Sequence, residues 1–418
     1  MQTRLPNSLF FESLLVLTLL GLVLAGCAGF ESPPQAFAMA TPMTETPSPV
    51  VPTLRPTATA VVFALKPTGT PLPTRTPAAA LNLTYGYGPA DFPPGYNPLT
   101  GLPVADPGLL ERRPVAIKVT NFPRSVRPQW GLSLADHVFD YYIGDQMTRF
   151  IGVFYGSDAN QVGPVRSGRF FDEHVIRMYK SILVFGMADS RVLDPWLESD
   201  IRSYLVVERP DNCPPLCRIG PESAYNTLFA DTQQLGEYLE KRGTNNDRQI
   251  LSGLRFESAI PFSTLAGNRL STFYTWIAYN LWEYNAYSGR YLRFQEAQDE
   301  KQGEKGYQPL VDSLTHEQIT ADNVVVLLIP HEYYVNTETT EMVTMNFFGQ
   351  GVAYAFRDGK AYQILWRRDK PEMLLSLEYP GGQPYSLKPG NTWFQVIGAS
   401  SAIQQGADGA WDFKFAIP

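Results

Sequence analysis

The sequence has few of the residues that most often carry out metal or redox chemistry. Among its 418 residues there are only 3 cysteines and 4 histidines. The histidines (His137, His174, His316 and His331) lie far apart and show none of the pair spacings that are typical of metal sites. We therefore expect neither a metal site nor a cofactor.

Basic residues are also scarce. The 34 lysines and arginines are outnumbered by 41 aspartates and glutamates, which gives a net charge of -7. Binding to the phosphates of a nucleic acid requires a basic face. The charge balance therefore argues against nucleic acid as a partner, while leaving room for a local basic site.

The apolar run near the N-terminus is short. It covers residues 14–24, whereas a membrane span requires about 20 apolar residues. It follows Arg4 and ends in Leu24-Ala25-Gly26-Cys27, where small residues precede a cleavage point. Residues 1–27 are therefore predicted to be a targeting segment.

The end of this segment resembles the bacterial lipobox. The resemblance implies lipidation of Cys27 and anchoring of the mature chain to the membrane, outside the cytoplasm. The alternative is an ordinary secretory signal that happens to end in a cysteine.

Residues 28–90 are rich in proline, threonine, alanine and serine. Proline fixes φ and removes a hydrogen-bond donor, so neither helix nor sheet can propagate. We predict a disordered tether, which in polyproline geometry would reach about 150 Å over 50 residues. A folded region of two parts, 91–255 and 256–418, would follow.

Local patterns predict a mixture of strands and helices in the first part and mainly strands in the second. The strands predicted in the first part are 113–120, 138–143, 149–155, 182–185 and 204–207, and the helices are 171–179, one starting at Asp194 and one from Asp231 or Thr232 to Gly243. The second part contains strands at 273–279, 281–284, 290–294 and 323–329, and hairpin turns at 285–289 and at Asp358-Gly359.

The densest polar cluster lies between Thr148 and His174, where a strand, a turn and a helix start are predicted. It contains Arg149, Arg166 and Arg169. Guanidinium groups bind phosphate or carboxylate with two hydrogen bonds, and a helix N-terminus adds backbone donors. Ser167 would add a hydroxyl group and Asp172 would orient an arginine.

Two other interpretations of this cluster remain. The arginines would pair with Asp136, Asp140 or Asp172 in a purely structural network, or Ser167 and His174 would form a hydrolytic site. No nucleophile elbow surrounds Ser167, so the sequence gives little support to catalysis.

The other two cysteines, Cys213 and Cys217, are four residues apart. Because an exported protein meets oxidising conditions, we expect a small disulfide loop, with free thiols or metal ligation as alternatives. The aromatic residues of 273–294 favour core packing, with a sugar-stacking surface as the alternative.

Several motifs resemble the YerB-like bacterial lipoprotein family. They are Asn97-Pro-Leu-Thr-Gly-Leu-Pro103, 113–118, 127–136, Thr148-Arg-Phe150, Gly163-Pro-Val-Arg-Ser-Gly-Arg169, 291–294, 320–326, Phe356-Arg-Asp-Gly-Lys360 and Lys388-Pro-Gly-Asn-Thr-Trp393. The resemblance implies an α+β layered fold in an N-terminal and a C-terminal part, and no known reaction. The chain departs from the family at 185–190 and 221–226, where family members tend to have histidines.

Taken together, these features predict an exported, lipid-anchored envelope protein that binds a cell-wall or envelope ligand, or a protein partner, through the arginine-rich junction. The alternatives are an envelope hydrolase and a wall-spanning scaffold.

Overall fold

The structure is a computed structural model that describes residues 86–220 and 226–418. The predicted targeting segment with Cys27 and residues 28–85 of the predicted tether lie outside the described residues. Residues 221–225, which belong to one of the two departures from the family, lie outside them as well.

The described residues form three α-helices and 25 strands. The helices are α1 (Phe170–Tyr179), α2 (Ser190–Glu198) and α3 (Leu235–Lys241). The strands are β1 (Tyr96–Asn97), β2 (Leu102–Pro103), β3 (Val115–Thr120), β4 (His137–Gly144), β5 (Met147–Phe154), β6 (Ile182–Phe185), β7 (Leu205–Val207), β8 (Leu216–Arg218), β9 (Leu228–Ala230), β10 (Arg255–Phe256), β11 (Arg269–Thr275), β12 (Ala278–Asn285), β13 (Arg290–Glu296), β14 (Tyr307–Pro309), β15 (Thr320–Ala321), β16 (Asn323–Ile329), β17 (His331–Asn336), β18 (Glu341–Met345), β19 (Gly349–Arg357), β20 (Lys360–Arg368), β21 (Ser376–Glu378), β22 (Ser386–Leu387), β23 (Thr392–Gly398), β24 (Ala402–Gln405) and β25 (Ala410–Lys414). Short 3-10 helices cover Pro107–Glu111, Arg124–Val126, Leu132–Leu134, Asp200–Tyr204, Pro210–Asn212 and Ala407–Gly409.

A ten-stranded mixed sheet forms the centre of the fold. Its order is β21-β20-β19-β16-β23-β4-β5-β3-β6-β7. The first five of these strands come from the second half of the chain and the last five from the first half. They meet where β23 pairs in parallel with β4, with Thr392 beside His137 and Val396 beside Tyr141. The two sequence-defined parts therefore share one sheet.

Each face of this sheet is covered by a different layer. On β4, Phe139, Tyr141 and Ile143 point to one face, where they pack with α1 and α2. Val138 and Tyr142 point to the other face, because successive side chains of a strand alternate. This second face packs against a smaller sheet.

The smaller sheet has seven strands, in the order β14-β13-β12-β11-β25-β24, with β15 paired to β13. Its inner aromatic residues pack on the central sheet, as in the contact of Trp282 with Trp393 at 5.2 Å between ring centroids. Helix makes up 15% and strand 42% of the described residues, so the predicted α+β class with a strand-rich C-terminal part is confirmed.

Turn and cap chemistry explains which local predictions are correct. The turns at 285–289 and Asp358-Gly359 are confirmed, and both turn residues of the second have positive φ (53° and 70°). The predicted strand 273–279 is wrong, because a turn at Trp276-Ile277 separates β11 from β12. The predicted helix start at Asp194 is wrong too, because Asp189 caps α2 by accepting from the backbone N–H of Arg191.

In the part of the chain that the structure describes, no helix is both long enough and apolar enough to cross a membrane.

Candidate anion-binding site

The arginine loop, residues 155–169 between β5 and α1, lies against two central strands, and Arg149 lies on β5. The backbone N–H of Arg166 donates to the carbonyl of Lys118 on β3 (3.0 Å), and its carbonyl accepts from Gly186, just after β6 (3.0 Å). Val165 also forms a bridge with Val119. These bonds hold the loop against the two strands, and the chain then continues directly into α1.

The start of α1 is closed by Asp172. Its Oδ2 accepts from the backbone N–H of Arg169 (2.8 Å), which satisfies a donor that would otherwise lack a partner at a helix N-terminus. From the sequence we expected Asp172 to orient an arginine side chain. In the structure this oxygen instead accepts from the backbone of Arg169.

The other oxygen of Asp172 lies in a buried group with Lys118 and Tyr141. Lys118 Nζ is 3.0 Å from Asp172 Oδ1, and the Tyr141 hydroxyl contacts both groups. The lysine also lies over the tyrosine ring, 4.0 Å from its centroid. All three side chains are buried, and the charges of Arg149 and Arg169 act on Lys118.

The guanidinium groups bind main-chain and amide oxygens. Arg149 Nη1 donates to the carbonyl of Ser167 (3.0 Å), and Arg169 Nη1 donates to that of Gly168 (2.9 Å). Arg166 donates to the side-chain amide of Asn226. Within 86–220 and 226–418, neither Arg149 nor Arg169 has a carboxylate oxygen within 4.0 Å.

The aspartates proposed as structural partners are engaged elsewhere. Asp136 accepts from the backbone N–H groups of Tyr155 and Gly156 (2.7 and 2.9 Å). Asp140 pairs with Arg293 at 2.7 Å, on the opposite face of the central sheet. The arginine network expected as the structural alternative is therefore absent for Arg149 and Arg169 among the described residues.

The positive charges repel one another. Burial, together with the charges of Arg169 and Arg166, lowers the pKa of Arg149 to about 9. Burial, with a smaller contribution from the charges of Arg149 and Arg169, lowers the pKa of Lys118 to about 7 against the opposing effect of Asp172. Arg149 and Arg169 have no carboxylate partner among the described residues, so an anion would stabilise these two charges.

Ser167 and His174 are not hydrogen-bonded to each other. His174 Nδ1 accepts from Arg368 Nη1 (3.1 Å), so Nε2 carries the proton and donates to the carbonyl of Met345 (2.9 Å). Burial and the charge of Arg368 lower the pKa of His174 to about 4. Neither ring nitrogen is placed to activate the hydroxyl group of Ser167.

The disulfide loop leads into a strand pair that contacts the arginine loop. Cys213 and Cys217 are joined by a disulfide, and Cys217 lies on β8, which pairs with β9. The carbonyl of Leu228 on β9 accepts from the backbone N–H of Val165 (2.7 Å). The sequence did not indicate that this strand pair borders the site.

Lys118 was also missed. The only signal in the sequence was a lysine in a strand whose other residues, apart from Thr120, are apolar. Within the described ranges, no group of three or more His, Cys, Asp or Glu residues is arranged to hold a metal ion.

Two family sequence models match the chain. Residues 99–245 match the N-terminal domain, and residues 271–394 the C-terminal domain, of proteins described as "Protein of unknown function (DUF3048)". The arginine loop and α1 lie in the first match.

A curated relative and a solved structure agree with these matches. The chain is 44% identical over 87 residues to "Putative lipoprotein YerB" of Bacillus subtilis (strain 168), which covers 21% of the chain and only 26% of that protein. The crystal structure of YerB protein from Bacillus subtilis superposes with a TM-score of 0.59 at 22% identity, over 72% of this chain and 96% of that one. This superposition shows a shared fold. The chain belongs to the YerB-like family, whose N-terminal and C-terminal domains are both domains of unknown function.

Proposed function

We propose that this protein is lipid-anchored in the bacterial envelope and that its folded region binds an anionic ligand outside the cytoplasm. The anchor is supported by Leu24-Ala25-Gly26-Cys27 at the end of the apolar leader and by the name of the Bacillus subtilis relative. The ligand site is supported by the geometry of the arginine loop.

One observation carries the binding proposal: Arg149 and Arg169 have donors to spare. A guanidinium group has five N–H donors. Each of these side chains makes one hydrogen bond, to Ser167 and Gly168 respectively, and neither has a carboxylate partner among the described residues. Both side chains are only half-buried, so the remaining donors are open to a ligand.

Lys118 strengthens this argument. Its ammonium group is buried, and the charges of Arg149 and Arg169 help to lower its pKa. A bound phosphate or carboxylate would offset the repulsion among these groups. Because two-pronged donors match phosphate and carboxylate oxygens, either group fits the site chemically.

Apolar side chains border the cations. The carbonyl of Met187 accepts from Gly168 (2.7 Å), and the Met187 side chain is 58% exposed. Phe170, next to Arg169, lies 4.8 Å from the ring of Tyr334, which is 52% exposed. These groups favour an anion carried on a body with an apolar face, such as a sugar phosphate, over a free inorganic ion.

Calorimetric titration with glucose 1-phosphate and with inorganic phosphate tests the proposal. Arg149→Lys and Arg169→Lys keep the charge but remove the two-pronged geometry, and we expect about tenfold weaker binding of the sugar phosphate from each. Arg191→Lys is the matched control, because Arg191, on nearby α2, already pairs with Asp189. Unchanged affinity in both arginine variants would refute the proposal.

The melting temperatures separate binding from scaffolding. If Arg149→Lys and Arg169→Lys fold normally and lose binding, the arginines are ligand contacts. If they lose a large part of their stability as well, the arginines are structural and the scaffold interpretation is favoured.

Attachment of labelled fatty acid tests the anchor separately. We expect incorporation in the natural sequence and none after Cys27→Ala. Incorporation that persists in the variant would exclude Cys27 as the lipidation site, whatever the outcome of the ligand titration.

A further inference from the structure

A separate cavity of about 370 Å³ lies on the outer face of the seven-stranded sheet. On β25, Trp411 and Phe413 point inward to the core, so Asp412 and Lys414 point outward. This face is remote in the fold from α1, which packs on the other side of the central sheet. Its volume falls in the range of small-molecule sites.

Strand register places the outward side chains in two rows. Gln404, Asp412 and Ser271 lie side by side across β24, β25 and β11. Two residues further along, Lys414 lies beside Phe273. The rows are about 7 Å apart, because a strand rises about 3.3 Å per residue.

A loop forms the remaining wall. It carries Glu300 and Lys305, and the Tyr279 hydroxyl holds its ends by donating to the carbonyl of Gln298 (2.8 Å) and accepting from Gly306 (3.1 Å). The backbone N–H of Glu300 donates to the carbonyl of Trp276 (2.7 Å). The wall is therefore fixed to the sheet.

Charges of both signs line this cavity without forming ion pairs. In the described part of the chain, none of Glu300, Lys305, Asp412 and Lys414 has an opposite charge within 4.0 Å. The carboxylates are nevertheless oriented, because Glu300 accepts from Gly303 and Asp412 accepts from the Ser271 hydroxyl.

The phenyl ring of Phe273 completes the site. It is half-buried in the cavity floor, with Lys305 Nζ 4.8 Å from its centroid. The cavity thus combines two carboxylates, two ammonium groups and one apolar surface within a few residues of one another.

We propose that this cavity binds a short peptide with free termini. Glu300 and Asp412 would bind its ammonium group, Lys305 and Lys414 its carboxylate, and Phe273 would pack against an apolar side chain. This site is independent of the anion site proposed above, since it uses none of the same residues.

NMR titration with the dipeptide alanyl-alanine tests this inference. We expect saturable binding of the dipeptide, and binding about tenfold weaker or more after N-acetylation or after amidation, because each change removes one terminal charge. Asp412→Asn and Lys414→Met should each weaken binding by a similar factor, and Lys305→Met provides a change on the loop that leaves the strands intact. Lys241→Met, on exposed α3, is the control and should bind normally.

Three results would overturn the inference. They are the absence of saturable binding, binding of the N-acetylated and amidated dipeptides that is as tight as that of the free dipeptide, and unchanged binding in the cavity variants. Preferential binding of an uncharged sugar such as maltose would also overturn it and favour a carbohydrate surface instead.

Discussion

The buried Lys118 makes a measurable prediction about stability and pH. The pKa of this lysine is lowered from 10.5 to about 7, chiefly by burial. The unfolded chain keeps the proton up to about pH 10.5, whereas the folded chain releases it near pH 7. Since the unfolded state binds more protons between these values, stability rises with pH in this interval.

The expected magnitude follows from the same values. Over the interval from pH 7 to pH 9, this one lysine adds about 2 kcal/mol to the free energy of unfolding. Urea denaturation at pH 7, 8 and 9 measures it. The double variant Lys118→Met with Asp172→Asn removes both buried charges and should lack the rise, while Lys241→Met should retain it.

A bound anion should flatten the rise. By offsetting the charges of Arg149 and Arg169, sulfate would raise the pKa of Lys118 and keep it protonated in the folded state. Sulfate should therefore stabilise the protein more at pH 7 than at pH 9, relative to chloride at the same ionic strength. An equal rise in the natural protein and in the double variant would refute the assignment of Lys118, and an equal effect of both salts would refute its coupling to the anion site.

Three further predictions concern the core. Arg293→Met leaves Asp140 buried without its partner and should lower the free energy of unfolding by about 3–5 kcal/mol. Adding Asp140→Asn should restore much of this loss, and urea unfolding of the single and double variants measures both effects. The pKa of His174 is lowered to about 4 from 6.5, so the unfolded chain binds more protons between these values and the free energy of unfolding falls as the pH falls through them. Between pH 7 and pH 4, the free energy of unfolding of His174→Gln should therefore fall by about 3 kcal/mol less than that of the natural protein in the same assay. An equal fall would contradict the prediction. Gly168→Ala would place a Cβ 2.9 Å from a buried tryptophan ring and should lower the melting temperature. Gly236→Ala lies in a helix, and its added Cβ has no atom within 4 Å, so it should raise the melting temperature slightly. The reverse order would contradict the packing argument.

Local chemistry explains how far the sequence predicts the fold. The hairpin at Asp358-Gly359 was predictable because both turn residues tolerate positive φ. The turn at Trp276-Ile277 contains no glycine, proline or asparagine, so it looked like part of a strand. The pairing of β23 with β4 joins residues more than 250 positions apart, and no local pattern specifies it.

The sequence shows that three arginines cluster around the turn before α1, but it does not show which groups surround them. The spacing of Arg149, Arg166 and Arg169 identified the loop before α1, but the pairing of Asp172 with Lys118 depends on two strands and a helix meeting in space. His174 is close to the loop in sequence, yet one helical turn rotates it toward β18 and β20. Although His174 is close to Ser167 along the chain, the helix therefore does not bring the two side chains into a hydrogen bond.

The remaining question is whether buried arginines without a carboxylate are simply structural, and Arg368 provides the comparison. Arg368 also has no carboxylate partner in the described residues, but its three guanidinium nitrogens donate to the carbonyls of Phe347, Pro371 and Met373, and it is fully buried. That pattern uses up its donors and leaves it inaccessible, as a structural arginine requires. Arg149 and Arg169 each donate to one carbonyl and stay half-exposed beside a buried lysine, so their desolvation is not offset within the described chain. A group held in this way is best stabilised by an anion that arrives from outside, and this contrast favours ligand binding over scaffolding at the arginine loop.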